Sequence, residues 1–170
     1  MNTHAYRLSR RTAFGLAGAA SATVALAACS NGDGKDYSGE VKFDSFERSG
    51  NYEPATKDKP AQNVPKPVKP SQMNEKSAAG FYAAIGYLAA AMQYLLEDLE
   101  PEPLIEVLGD SQGNYDQFKQ MKSSNLAWVV NPKVVISLKT PQPKVDGDTY
   151  TWAAKGTIKY DGIGSSDDAA

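Results

Sequence analysis

The sequence predicts an α+β domain: one long helix and shorter helices packed on a small antiparallel sheet, preceded by a signal peptide and a disordered linker. Three observations carry this reading. An apolar stripe at helical spacing runs through residues 74–100, and a period-two alternation runs through residues 133–160. Ahead of both lies a Pro-rich, charged stretch that starts just after a lone cysteine.

Met1–Arg11 is basic, with Arg7, Arg10 and Arg11 and no acid. Thr12–Ala28 is apolar and small, and falls short of the ~20 residues a spanning helix needs. A positive flank, a short apolar run and a small-residue exit make a signal peptide, 1–28. It ends in Leu26-Ala27-Ala28-Cys29, which has the shape of a lipobox. Lipid is attached to the thiol first, and small side chains then let a peptidase cut between Ala28 and Cys29. The expected product begins at an acylated Cys29, held in a lipid bilayer on the outer face of the cell membrane. Ser9-Arg10-Arg11-Thr12-Ala13-Phe14 resembles a twin-arginine export signal, with Phe14 one place later than usual. Arg10 and Arg11 are thus either an export signal or simple n-region charge.

Composition narrows the chemistry. Three of the 18 Lys+Arg fall in the signal peptide, leaving 15 against 20 Asp+Glu, a balance of −5. Arg48 is then the only arginine. A mildly acidic, Arg-poor product has no clustered basic face, so no nucleic-acid partner is expected. Cys29 is the only cysteine and His4 the only histidine. A product starting at Cys29 has no disulfide, no Ser-His-Asp triad and no His or Cys zinc site. No metal and no cofactor are expected.

Residues 29–73 read as a lipid-anchored linker. Ser30–Asp36 is solvated and flexible in character. Tyr37, Phe43 and Phe46 are scattered among charges and could pack on the domain or form an edge strand. Five prolines lie between Pro54 and Pro70. The last seven residues, Val64–Pro70, would span roughly 20 Å as polyproline II.

Ser71 or Asn74 can cap the long helix, which stops before Pro101. Phe81, Ile85, Leu88, Met92, Leu95 and Leu99 keep one continuous stripe. Ala83, Ala84 and Ala89–Ala91 make the remaining surface small. Glu97, Asp98, Glu100 and Glu102 oppose the helix dipole and should be solvated. Pro103–Gly109 reads as a second helix, closed by a C′ glycine. Tyr115, Phe118 and Met121 suggest a third helical stretch, ended by Ser123-Ser124-Asn125.

Leu126–Val130 favours strand, and Asn131-Pro132 stops it. Lys133–Thr140 and Thr149–Tyr160 alternate, joined across Asp146-Gly147, a turn dipeptide. Val134, Ile136 and Leu138 form the face that can cover the helix stripe. The domain is thus placed at 74–160, followed by an acidic, glycine-rich disordered tail, 161–170.

From Val64 to Tyr160 the chain resembles lipoproteins of high-GC Gram-positive bacteria that carry a domain of unknown function. The features are the lipobox, the lead-in Val64-Pro65-Lys66-Pro67-Val68-Lys69-Pro70, the Phe/Tyr/Leu-rich helix and the acidic Pro-Leu turn, Glu100–Leu108. The resemblance implies a cystatin-like shape, the group that includes the nuclear transport factor 2 shape, in which long helices sit in a curved antiparallel sheet. That shape has four or more strands, and about three are readable here. Relatives often carry Cys-x-x-Cys after the second helix, where Ser111-Gln112-Gly113-Asn114 stands instead.

The expected function is a non-catalytic, membrane-anchored envelope lipoprotein that binds an envelope protein, a glycan or a small apolar ligand. The alternative is an isomerase- or hydratase-type enzyme with an Asp–Tyr pair in a pocket, drawn from Tyr82, Tyr87, Tyr94, Asp98 and Asp116. A third reading is assembly through a free sheet edge.

Overall fold

The structure, a computed structural model, describes residues 34–109 and 115–166. The signal-peptide and lipobox positions Arg10, Arg11, Ala28 and Cys29 lie outside the described residues, as does Ser111–Asn114. The described chain is α+β, with three helices and small antiparallel sheets.

Three two-residue strands come first: β1 (Gly39–Glu40), β2 (Phe46–Glu47) and β3 (Lys66–Pro67). Then come α1 (Ala78–Asp98), α2 (Glu102–Leu108) and α3 (Tyr115–Ser124). Six strands follow: β4 (Ala127–Val130), β5 (Lys133–Leu138), β6 (Lys144–Asp146), β7 (Thr149–Thr151), β8 (Ala154–Lys159) and β9 (Gly162–Ser165).

The centre is α1, and none of its residues is exposed. It is long and apolar enough to cross a membrane, a test that the enclosed core helix of a globular fold also passes. Its cap differs from the sequence expectation. Ser71–Asn74 is a separate 3-10 turn, and the Ser77 hydroxyl accepts the Gly80 N–H at 3.0 Å. The 3-10 turn folds back so closely that a Cβ at position 80 would lie 2.5 Å from the Glu75 carbonyl oxygen. The helix ends on Leu99 in the left-handed region, φ 58°, with its N–H on the Leu95 carbonyl. That conformation costs a non-glycine residue roughly 1–2 kcal/mol. Burying the Leu99 side chain offsets it.

The predicted stripe divides between two apolar clusters. Ile85 joins Ala78, Leu138 and Trp152 against the sheet, with Phe81 alongside. Leu95 joins Ala91, Leu104 and Tyr115, with Leu88 and Met92 beside them. These contacts dock α2 and α3 on the C-terminal half of α1. Gly109, at φ +80°, closes α2 as its C-cap, one place earlier than the C′ position the sequence indicated.

The stretch expected as a linker is folded over its described residues. Tyr37 and Val41 are 6% and 8% exposed and belong to the main core cluster. Tyr37 meets Tyr82 at 4.8 Å and Trp152 edge-on at 5.7 Å. Met73 packs with Ala83 and Tyr87. Strand β1 pairs with β5, and β2 with β3, where Pro67 sits in a two-stranded pair that needs little from its missing N–H. Of the scattered aromatics, Tyr37 is buried and Phe43 half-buried, whereas Phe46 stays exposed with the charges around it.

The tail expected to be disordered is also corrected, because Gly162–Ser165 is strand β9 and pairs with β4. Val130 pairs with Gly162 and Lys133 with Lys159, so each strand advances three residues between these pairs and the register is kept. The β4–β9 and β5–β8 ladders are therefore one antiparallel ribbon, bent at Asn131-Pro132. Asn131 makes the bend at φ 48°, and its side-chain amide donates to Asp161 at 2.9 Å. The strand predicted over Thr149–Tyr160 is split at Trp152, which turns into the core and donates from Nε1 to the Thr140 carbonyl at 2.9 Å. Asp146-Gly147 makes the β6–β7 turn as expected, with Gly147 at φ +57°.

Candidate functional site

A cleft of about 390 Å³ opens along one side of α1. Gly86, Ala89, Ala90, Gln93, Tyr94 and Glu97 line it, a single stripe at helical spacing. From Gly86 to Glu97 that stripe runs about 16 Å at the helical rise. The small residues make the groove because they leave room above the helix. At one end the chain after β1 crosses directly over α1. A Cβ at position 86 would lie 3.3 Å from the Lys42 carbonyl oxygen, and the Lys42 N–H donates to the Tyr82 hydroxyl at 3.0 Å.

The segment before α1 supplies the aromatic walls, Phe43, Phe46 and Tyr52, together with Val64 and Pro65. Phe43 and Phe46 pack edge to face at 5.2 Å. Strand β5 supplies Lys133, Val134 and Val135. The cleft therefore exists only because the expected linker is folded against the helix.

Its polar end is built on Gln93. The Gln93 side chain donates to Glu97 Oε1 at 2.8 Å and accepts the Val134 N–H at 3.3 Å. Glu97 is half-buried, and burial pushes its carboxyl above the usual range against the pull of Gln93 and Tyr52. Burial first, and then Glu97 beside it, push the Tyr52 hydroxyl up to about 12. The solvated role expected for Glu97 is thus corrected: it turns into the cleft. Its spacing from Gly86, Ala90 and Gln93 was the available signal.

The other acids of that run stay on the surface. Lys122 bridges Asp98 at 2.6 Å and Glu100 at 3.7 Å, tying the end of α1 to α3. Glu102 pairs with Lys66, which holds its carboxyl below the usual range.

The five residues considered for acid–base chemistry are not brought together. Only Tyr94 lines the cleft, and burial followed by nearby Asp98 raises its hydroxyl. Tyr82 lies against the Tyr37 core, and Tyr87 donates to Glu106 at 2.9 Å on another side of α1. Asp98 is held by Lys122, and Asp116 is exposed in the first turn of α3. Among the described residues no group of three His, Cys, Asp or Glu could hold a metal ion.

The cleft carries more free positive than negative charge. Glu40 is paired with Lys42 at 3.0 Å. Arg48 and Lys133 line the cleft without an ion pair among the described residues.

No curated protein and no solved structure matches the chain. A family match is found, and it starts at residue 50, within the segment that walls the cleft, and ends beyond β9. Because it covers residues 50–169, the chain belongs to the family of unknown function DUF6318.

Proposed function

We propose that this protein is a membrane-anchored lipoprotein of the cell envelope whose domain binds a ligand without transforming it. The sequence Leu26-Ala27-Ala28-Cys29, with Cys29 the only cysteine, carries the anchoring half of the reading. Acylated Cys29 holds the chain to the bilayer on its outer face. The domain is of the cystatin-like type, supported by a long helix lying on the antiparallel β1-β5-β8 sheet.

The folded segment changes the expected geometry. Tyr37 is in the core, and seven residues separate it from the anchor at Cys29. At no more than about 3.6 Å per residue the tether reaches under ~30 Å, which keeps the domain close to the bilayer. The α1 cleft is the binding site on this reading. Its volume falls in the range of small-molecule sites, ~300–1,000 Å³, with apolar walls and a few convergent polar groups. The non-catalytic half rests on the dispersal of the Asp and Tyr candidates over different sides of α1 and onto α3.

Cell fractionation tests the anchoring. The native protein should sediment with membranes and the Cys29→Ala variant should not. Equal distribution of the two would remove the basis for an anchor at Cys29.

A further inference from the structure

The α1 cleft is specific in its chemistry, and this inference rests on the cleft being the binding site proposed above. Its long axis follows the stripe from Gly86 to Glu97, about 16 Å. Along that axis Ala89 and Ala90 offer no polar side chain, and Phe43, Phe46 and Tyr52 offer apolar ring surface. Such a trough accepts an extended chain or a flat ring system and pays little desolvation for it.

Charge sets the head group. The product that begins at Cys29 has an acidic balance, yet its only arginine, Arg48, lines this cleft. Arg48 and Lys133 lack an ion pair among the described residues, while Glu40 is already neutralised by Lys42. The remaining acid, Glu97, accepts from Gln93, so Lys42, Arg48 and Lys133 outnumber Glu40 and Glu97 along the cleft. The net charge of the lining is thus cationic. A guanidinium presents paired donors that match a carboxylate or a phosphate.

We propose that the α1 cleft binds a small amphipathic anion. Its acyl or aryl body lies over Ala89 and Ala90 between the aromatic walls, and its carboxylate or phosphate is held at Arg48 and Lys133. A hydroxyl or amide on the body is recognised by Gln93 and Glu97.

The test uses the full chain carrying Cys29→Ser, so that no attached acyl group competes and the result does not depend on the anchor. Dodecanoate, dodecyl phosphate and dodecyltrimethylammonium are titrated calorimetrically below their micelle concentrations. The expected result is one site per chain for at least one anion, with the cation bound at least tenfold more weakly. Dodecanoate without dodecyl phosphate assigns the carboxylate, and the reverse assigns the phosphate. Arg48→Ala should weaken the anion at least tenfold, and Ala90→Trp, which fills the trough, should abolish binding. Arg48→Glu, an exposed change that leaves the core untouched, keeps the test decisive if Ala90→Trp fails to fold. Equal affinity for the cation, or unchanged anion affinity in both Arg48 variants, would overturn the proposal. So would binding of neither anion, with membrane anchoring in the native protein left standing.

Discussion

Trp128 faces Gly164 across the β4–β9 ladder, and its indole fills the space that a side chain at position 164 would need. The same indole donates from Nε1 to the Thr56 carbonyl at 2.7 Å. One side chain thus joins the segment before α1, the ribbon and its C-terminal strand. Ala55 and Val130 close the cluster around it.

A methyl group at position 164 would fall on the indole ring and 2.8 Å from the Lys57 carbonyl oxygen. Gly164→Ala should therefore destabilise the fold by about 2 kcal/mol or more, the cost of overpacking a filled site. Urea denaturation followed by Trp fluorescence reads this directly. An unchanged midpoint would mean that β9 does not lie against Trp128.

Tyr37 offers a separate test of the folded segment. A tether residue can be truncated freely, whereas a core aromatic cannot. Tyr37→Ala removes contacts with Tyr82 and Trp152 and should cost about 3 kcal/mol. Wild-type stability in this variant would restore the spacer reading.

Gly80 lies inside a helix, where alanine ordinarily stabilises by roughly 1 kcal/mol. Here the Glu75 and Gln72 carbonyl oxygens, at 2.5 Å and 2.7 Å from the would-be Cβ, are backbone and cannot swing aside. Gly80→Ala should lower the melting temperature despite its better propensity. A rise would show that the 3-10 turn does not fold back on α1.

Glu97 links stability to pH. Its carboxyl lies above its ordinary value of 4.5 because burial disfavours the charge. Between the unfolded and folded values the native state holds more protons than the unfolded chain, so stability falls as pH rises through that window. Glu97→Gln removes this loss. Its melting temperature should drop less than the native protein's between about pH 4 and pH 7. Parallel profiles for the two proteins would place Glu97 in water.

Long periodic elements were legible in the sequence. The α1 stripe, the alternation of Lys133–Leu138 and the Asp146-Gly147 turn all stand where local pattern put them. What escaped was fixed by distant partners. Two-residue strands such as β1 and β2 are too short to show period-two alternation, and their pairing is set by β5 and β3. Glycine at 164 looks like a disorder signal until Trp128 is placed against it. The cleft was half legible: Gly86, Ala90, Gln93 and Glu97 share a face of α1, but its aromatic walls come from a segment whose prolines suggested a spacer.

Intact mass of the protein from the membrane fraction, set beside a Cys29→Ala version, tests the central claim most directly. The expected result is a chain that begins at Cys29 and carries the added mass of two or three acyl chains, absent from the variant. A chain that retains Met1, or one that starts at Cys29 without lipid, would contradict it.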